Sequence, residues 1–268
     1  MRKFVLLMLL AGCGSCGAVS FDSAHVLVVD AASGKVLLSK EADRAVPIAS
    51  LTKLLAAMVV LDAEQDPDEE LQIEAVDVDP LGRDRGGVPV GAVVSRGALL
   101  ALALLASDNR AMAALSRAHP GGPRAFDADM QRKIGTLGLR HALIEDPTGL
   151  SARDVSSARD MVEILHAAAR YPVIAGITSR RSHGVLVNGR LRVAHNTNGL
   201  VGAPGWRVLL SKTGYTNDAG RCLGMQTESG GGAVTIVLLG AAKRSQRTRD
   251  AQTILRWLEA SKRREALP

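Results

Sequence analysis

The sequence predicts an α+β fold in which both ends of the chain supply one antiparallel sheet and the middle supplies a lobe of helices. Three observations lead there. Short apolar runs bounded by turn residues occur at 25–39 and again across 185–239. The stretch between them carries helical periodicity and caps, and no Gly/Ser-rich or Pro-rich linker and no repeat interrupts residues 22–262. One domain is therefore expected over 22–262, with residues 1–18 set apart from it.

Taken in order, His25 to Asp30 is an apolar strand, Ala31 to Lys35 has turn chemistry, and Val36 to Ser39 is its hairpin partner. Ser50 to Ala63 is apolar almost all round and reads as a buried helix that ends in an acidic, Pro-containing stretch. Helices are expected over Arg96 to Ala106, Arg110 to Ala118 and Pro123 to Leu137. Another opens at the capping box Ser157-x-x-Asp160 and ends before Pro172. Strands return at Val185 to Val187 and Leu191 to Ala194 around the tight turn Asn188-Gly189. They continue at Arg207 to Lys212, Ala219 to Met225 and Ala233 to Leu239, and a last helix covers Thr248 to Ser261.

A hydrophobic fraction of 47% is ample for a core, and with aromatics at only 3% that core must be Ala, Val and Leu. The net charge of +6 invites a nucleic-acid reading. The distribution argues against it. Basic residues gather near the C-terminus (Lys243, Arg244, Arg247, Arg249, Lys262, Arg263, Arg264) with no aromatic platforms among them, which is the pattern of a solvated basic face.

Met1-Arg2-Lys3 followed by the apolar run Phe4 to Ala11 reads as an export signal, far too short to span a bilayer. The run ends in Leu10-Ala11-Gly12-Cys13, which looks like the lipobox of bacterial lipoproteins and would put a lipid on Cys13. Cleavage near Ala18 is the alternative. Cys222 has no partner in the globular part, so it is expected as a buried strand residue.

Three short motifs stand in order: Ser50-Leu51-Thr52-Lys53, Ser107-Asp108-Asn109 and Lys212-Thr213-Gly214. Taken singly they say little. A Ser and a Lys three apart occur by chance in about one chain in two of this length, and alone Ser50 would be a helix cap and Lys53 a snorkelling side chain. Together they form a set that penicillin-binding proteins and class A β-lactamases share.

The spacing has chemical meaning. Ser50 and Lys53 lie one helical turn apart on one face, at a helix start whose free N–H groups favour developing negative charge. A Ser hydroxyl needs an adjacent base, and a Lys serves only when neutral, which burial and a second cation such as Lys212 would favour. Ser107 is placed to relay a proton to a leaving amine, and Asn109 to bind substrate backbone. Gly214, after an apolar strand, would let an extended peptide approach and add alongside. The backbone N–H groups of Ser50 and Tyr215 are the natural oxyanion hole. No G-x-S-x-G elbow, H-E-x-x-H, metal-ligand spacing or phosphate loop occurs, so neither metal nor cofactor is expected.

These motifs, with Pro47 to Lys53, Asp146-Pro147-Thr148-Gly149-Leu150 and Leu210 to Asn217, closely resemble the low-molecular-mass penicillin-binding proteins, the D-alanyl-D-alanine carboxypeptidase and endopeptidase family, over about residues 22–260. The resemblance implies a β-lactamase/DD-peptidase-like fold and an acyl-enzyme on Ser50 with Lys53 as base. It also implies Ser107 and Asn109 in catalysis, and Lys212, Thr213, Gly214 and Tyr215 in substrate binding. Its implied partners are peptidoglycan stem peptides and crosslinks, and β-lactams that acylate the same Ser. Its implied location is the periplasm or cell envelope, with membrane association only through a lipid on Cys13.

Within the family, Ser211 to Cys222 looks most like the crosslink-cutting endopeptidases. A carboxypeptidase and a catalytically silent wall-binding homologue are the alternatives. No Glu-x-x-x-Asn element lies between Asn109 and Lys212, so fast β-lactam turnover is not expected.

Overall fold

The computed structural model of the protein describes residues 19–84, 86–229 and 232–265. The expected export segment and Cys13 lie outside them. The chain opens with β1 (His25–Asp30) and β2 (Val36–Lys40), then β3 (Val46–Pro47), a 3-10 turn (Ala49–Leu51) and α1 (Thr52–Asp62). The helical lobe follows: β4 (Glu70–Gln72), β5 (Val93–Ser95), α2 (Arg96–Ala101), a π-helical turn (Leu102–Ala106), α3 (Asn109–Arg117) and α4 (Gly122–Thr136). Then come β6 (Val155–Ser156), α5 (Ala158–Ala169), α6 (Pro172–Thr178), β7 (Ser182–Val187) and β8 (Arg190–His195). β9 (Arg207–Thr216), β10 (Gly220–Ser229), β11 (Gly232–Ala241) and α7 (Arg244–Glu265) close the chain.

The sheet drawn from both ends is present: five antiparallel strands in the order β2-β1-β11-β10-β9. Side chains alternate across it. Leu27 and Val29 of β1 join the larger core under α1 and α5, while Val26 and Val28 join a second core under α7 with Leu223, Met225, Ile236, Ala251 and Ile254. A strand buried on both faces reads as a continuous apolar run, as β1 does. The termini are tied together by Asp250 of α7, whose carboxylate accepts from the backbone N–H of Asp22 (3.0 Å) and Ser23 (2.7 Å).

The structure departs from expectation in several places. β7 and β8 pair only with each other and lie outside the five-stranded sheet. Val185, Val187 and Ala194 turn into the core, and Leu186 and Leu191 stay exposed. Pro172 does not merely end a helix. It opens α6, where its missing N–H costs nothing in the first turn. The capping box is half made: Ser157 Oγ accepts from Asp160 N, but the Asp160 carboxylate accepts from His141 N instead. The short pairs β3–β6 and β4–β5 join residues distant in sequence and are too brief to show periodicity. Cys222 is fully buried in β10, as expected. Among the described residues no helix is long and apolar enough to cross a membrane.

Candidate active site

Ser50 does not sit in the first turn of α1. It lies in the 3-10 turn before it, after Ala49, whose φ of 49° is left-handed. Two glycines wedge this turn in place. A Cβ on Gly149 (φ +79°) would lie 2.2 Å from Ala49 O, and one on Gly214 would lie 2.9 Å from Ile48 O and 3.1 Å from Ser50 N. Gly214 therefore has no room for a side chain where the Ser50 turn presses on it.

Lys53, one turn on, is fully buried among Leu51, Leu54 and Leu55. Its Nζ donates to Ser50 Oγ at 3.0 Å, to Asn109 Oδ1 at 2.6 Å and to the carbonyl of Thr148 at 2.5 Å. Burial pushes its pKa from 10.5 down to about 8, against the pull of Asp146 and Asp108. Asn109, expected to face substrate, thus spends its oxygen on Lys53 and keeps its amide N–H groups for the cleft it lines.

Ser107 adopts a left-handed conformation (φ 63°) where the π-helical turn stops, which turns its hydroxyl toward Lys212. Lys212 Nζ donates to Ser107 Oγ at 2.8 Å and to Thr213 O at 3.0 Å. Burial holds the Lys212 pKa well below the usual lysine range, and the charges of Lys53 and Arg247 push the same way. Repulsion between the two lysines is reciprocal, although in Lys53 nearby carboxylates oppose it. Between Ser107 and Asn109, Asp108 is structural. It caps α3 by accepting from Ala111 N (3.0 Å), and it holds Val88 N at 2.9 Å.

β9 runs four residues beyond the expected end, so Lys212, Thr213, Gly214 and Tyr215 all lie in the strand. It is the edge of the sheet, where alternate backbone groups face outward rather than a neighbouring strand. Thr213 Oγ1 donates to Thr197 Oγ1 at 2.7 Å. The three motifs converge on a cleft of about 710 Å³ that Ser50, Ser107, Asn109, Thr213 and Tyr215 line together.

Two contributors were not visible in sequence. The Thr148 carbonyl holds Lys53 through its backbone, which leaves no residue-type signature. Arg247, read above as part of a solvated basic face, is 5% exposed, lines the cleft and donates to Cys222 O at 3.0 Å. Burial, with Arg244 and Arg221 nearby, pushes its pKa down to about 10. Only its place on the cleft-facing side of α7 separates it from Arg249, which points out to Asp22.

The family described as D-alanyl-D-alanine carboxypeptidase matches residues 15–243. A D-alanyl-D-alanine endopeptidase of Pseudomonas aeruginosa is 39% identical over 88% of this chain and 77% of its own length. The Escherichia coli protein of the same name is 37% identical over 90% and 78%. Among solved structures, a Mycobacterium tuberculosis D-alanyl-D-alanine carboxypeptidase superposes with a TM-score of 0.81 at 28% identity, covering 91% of this chain and 94% of that one. A Streptomyces DD-transpeptidase shares the fold, with a TM-score of 0.83 at 22% identity over 90% and 98%. A cleft-lining Ser on a buried Lys, backed by a second Ser-Lys pair, in a chain with these relatives, leads to one conclusion: the chain belongs to the D-alanyl-D-alanine carboxypeptidase family and is a serine hydrolase of that family.

Proposed function

We propose that residues 22–262 form one catalytic domain that cleaves D-alanyl crosslinks of peptidoglycan in the bacterial envelope, as a DD-endopeptidase working through an acyl-enzyme on Ser50. The observation that carries this reading is the Lys53 ammonium nitrogen, fully buried and 3.0 Å from Ser50 Oγ. Relatives named endopeptidases at 39% and 37% identity favour crosslinks over terminal D-alanine.

Lys53 in its neutral form takes the Ser50 proton as Oγ attacks the D-alanine carbonyl. The resulting oxyanion is met by the N–H groups of Ser50 and Tyr215, which the close contact of Gly214 on the Ser50 turn keeps together. As the C–N bond breaks, Ser107 passes a proton to the departing amine and is resupplied through its hydrogen bond with Lys212. Asn109 holds Lys53 with its oxygen and substrate backbone with its N–H groups, and Arg247 meets the carboxylate of the departing residue. Water then attacks the ester and gives its proton to the Ser107–Lys212 pair, while Lys53 returns its proton to Ser50 Oγ as the acyl C–O bond breaks, which restores both pairs. A β-lactam stops at the ester.

Export through residues 1–18, with a lipid on Cys13 as anchor, completes the reading. Fatty-acid incorporation that is lost in Cys13→Ser tests the anchor, and processing near Ala18 without lipid would reject it. The function is tested by digesting crosslinked muropeptides: release of monomers is expected, and loss of terminal D-alanine alone would make the protein a carboxypeptidase.

A further inference from the structure

Beyond Arg247, the same end of the cleft holds two more guanidinium groups, those of Arg221 and Arg244. Arg221 lies opposite Tyr215 in the β9–β10 register, and its guanidinium carbon sits 3.5 Å from the centre of the Tyr215 ring. Stacking of this kind fixes the plane of the group and leaves its N–H edges free to meet a planar anion. Arg244 is the first residue of α7, one turn before Arg247. A cation at a helix N-terminus gains nothing from the dipole, and the first turn of α7 has no acidic residue to compensate.

Among the described residues no carboxylate pairs with Arg221, Arg244 or Arg247. The nearby rim residue Asp218 lines the cleft without joining any of them. Mutual repulsion among the three is one reason that Arg247 holds its proton less firmly than usual. One substrate carboxylate on Arg247 leaves two positive groups unanswered.

We infer that Arg221 and Arg244 form a second anion subsite, which binds a further carboxylate of the leaving peptide and so makes a crosslink a better substrate than a single terminal D-alanine. The inference rests on the endopeptidase reading above. A terminal D-alanine leaves with one carboxylate. The leaving half of a crosslink is a whole stem peptide with further carboxylates beyond the cut residue, and these reach the outer arginines once Arg247 holds the first.

The test compares three substrates by kcat/KM: a crosslinked dimer, the same dimer with every leaving-half carboxylate amidated except that of the cut residue, and a linear pentapeptide. The unmodified protein is expected to prefer the native dimer over the amidated one by about tenfold. In Arg244→Gln that preference should shrink by about fivefold, the upper range for one exposed ion pair. Arg221→Gln should act likewise, and Arg221→Lys, which keeps the charge but loses the stacked planar fork, should retain only part of the preference. Fluorescent penicillin labelling of each variant controls for folding and for an intact Ser50.

Cleavage of both dimers at one rate by the unmodified protein would overturn the subsite and leave the endopeptidase reading standing. So would an Arg244→Gln protein that discriminates as well as the original. Release of terminal D-alanine with no dimer cleavage would overturn both.

Discussion

Lys212 donates to Ser107 Oγ at 2.8 Å across 105 residues of sequence, in the same cleft where Lys53 holds Ser50. In the proposed mechanism the two pairs do different work. Ser50→Ala should abolish labelling by fluorescent penicillin. Ser107→Ala should leave labelling measurable but slow peptide turnover by about 100-fold, the lower range for loss of a proton-transfer group. Equal loss of labelling in both variants would contradict the assignment.

The pH dependence follows from Lys53. Its folded pKa of about 8 means that the neutral base accumulates as pH rises, so penicillin acylation should climb through about pH 8, and Lys53→Met should remove the climb along with most of the rate. The stability consequence has the same sign. Between about 8 and the ordinary 10.5 the unfolded chain binds a proton that the folded chain does not, so unfolding free energy should rise with pH there, by about 3 kcal/mol from this group. Denaturant titrations at pH 8 and 10 measure it, and a flat or falling profile would contradict it.

Asp154 offers the opposite case. It is fully buried; its Oδ1 accepts from Glu145 N (2.8 Å) and Asp146 N (3.1 Å), while Oδ2 has no partner. Burial, with Asp146 and Glu145 adding, raises its pKa to about 7. The folded protein therefore holds a proton there between 3.8 and about 7 that the unfolded chain has lost, and stability from this group falls as pH rises through that window. Asp154→Asn keeps the acceptor and removes the charge. It should raise Tm at pH 8 and change it little at pH 4, and a pH-independent effect would count against the account.

Two glycine substitutions probe the Ser50 turn. At Gly149 an alanine meets a backbone oxygen at 2.2 Å and a left-handed φ, so Gly149→Ala should cost about 3 kcal/mol or more in stability. At Gly214 the nearest atom is 2.9 Å away and the φ is ordinary strand. Gly214→Ala should cost about 2 kcal/mol in stability and slow acylation more than it destabilises. Chemical unfolding and penicillin labelling together separate the two effects.

The parts legible in sequence are local or periodic. β1, α1, the antiparallel sheet from both chain ends and the Ser50, Ser107 and Lys212 motifs all declare themselves through runs, caps or short fixed spacings. Lys53 stands out as a base candidate only because its motif comes with the other two, since a lone lysine in an apolar helix is more often a snorkelling side chain. What lay beyond reach was set by contacts without a residue signature. Thr148 acts through its carbonyl, and β3 pairs with β6 over two residues only.

By itself, then, the sequence determined the fold class, the order of the motifs and the chemistry of a serine paired with a lysine, because periodicity and spacing are properties of the chain. Only the tertiary structure decided that Gly214 is bare to receive the Ser50 turn, that Asn109 turns its oxygen to Lys53, and that Arg247 leaves the solvated face for the cleft. Each depends on which surface folds against which, and steric fit and burial settle that only when distant segments meet.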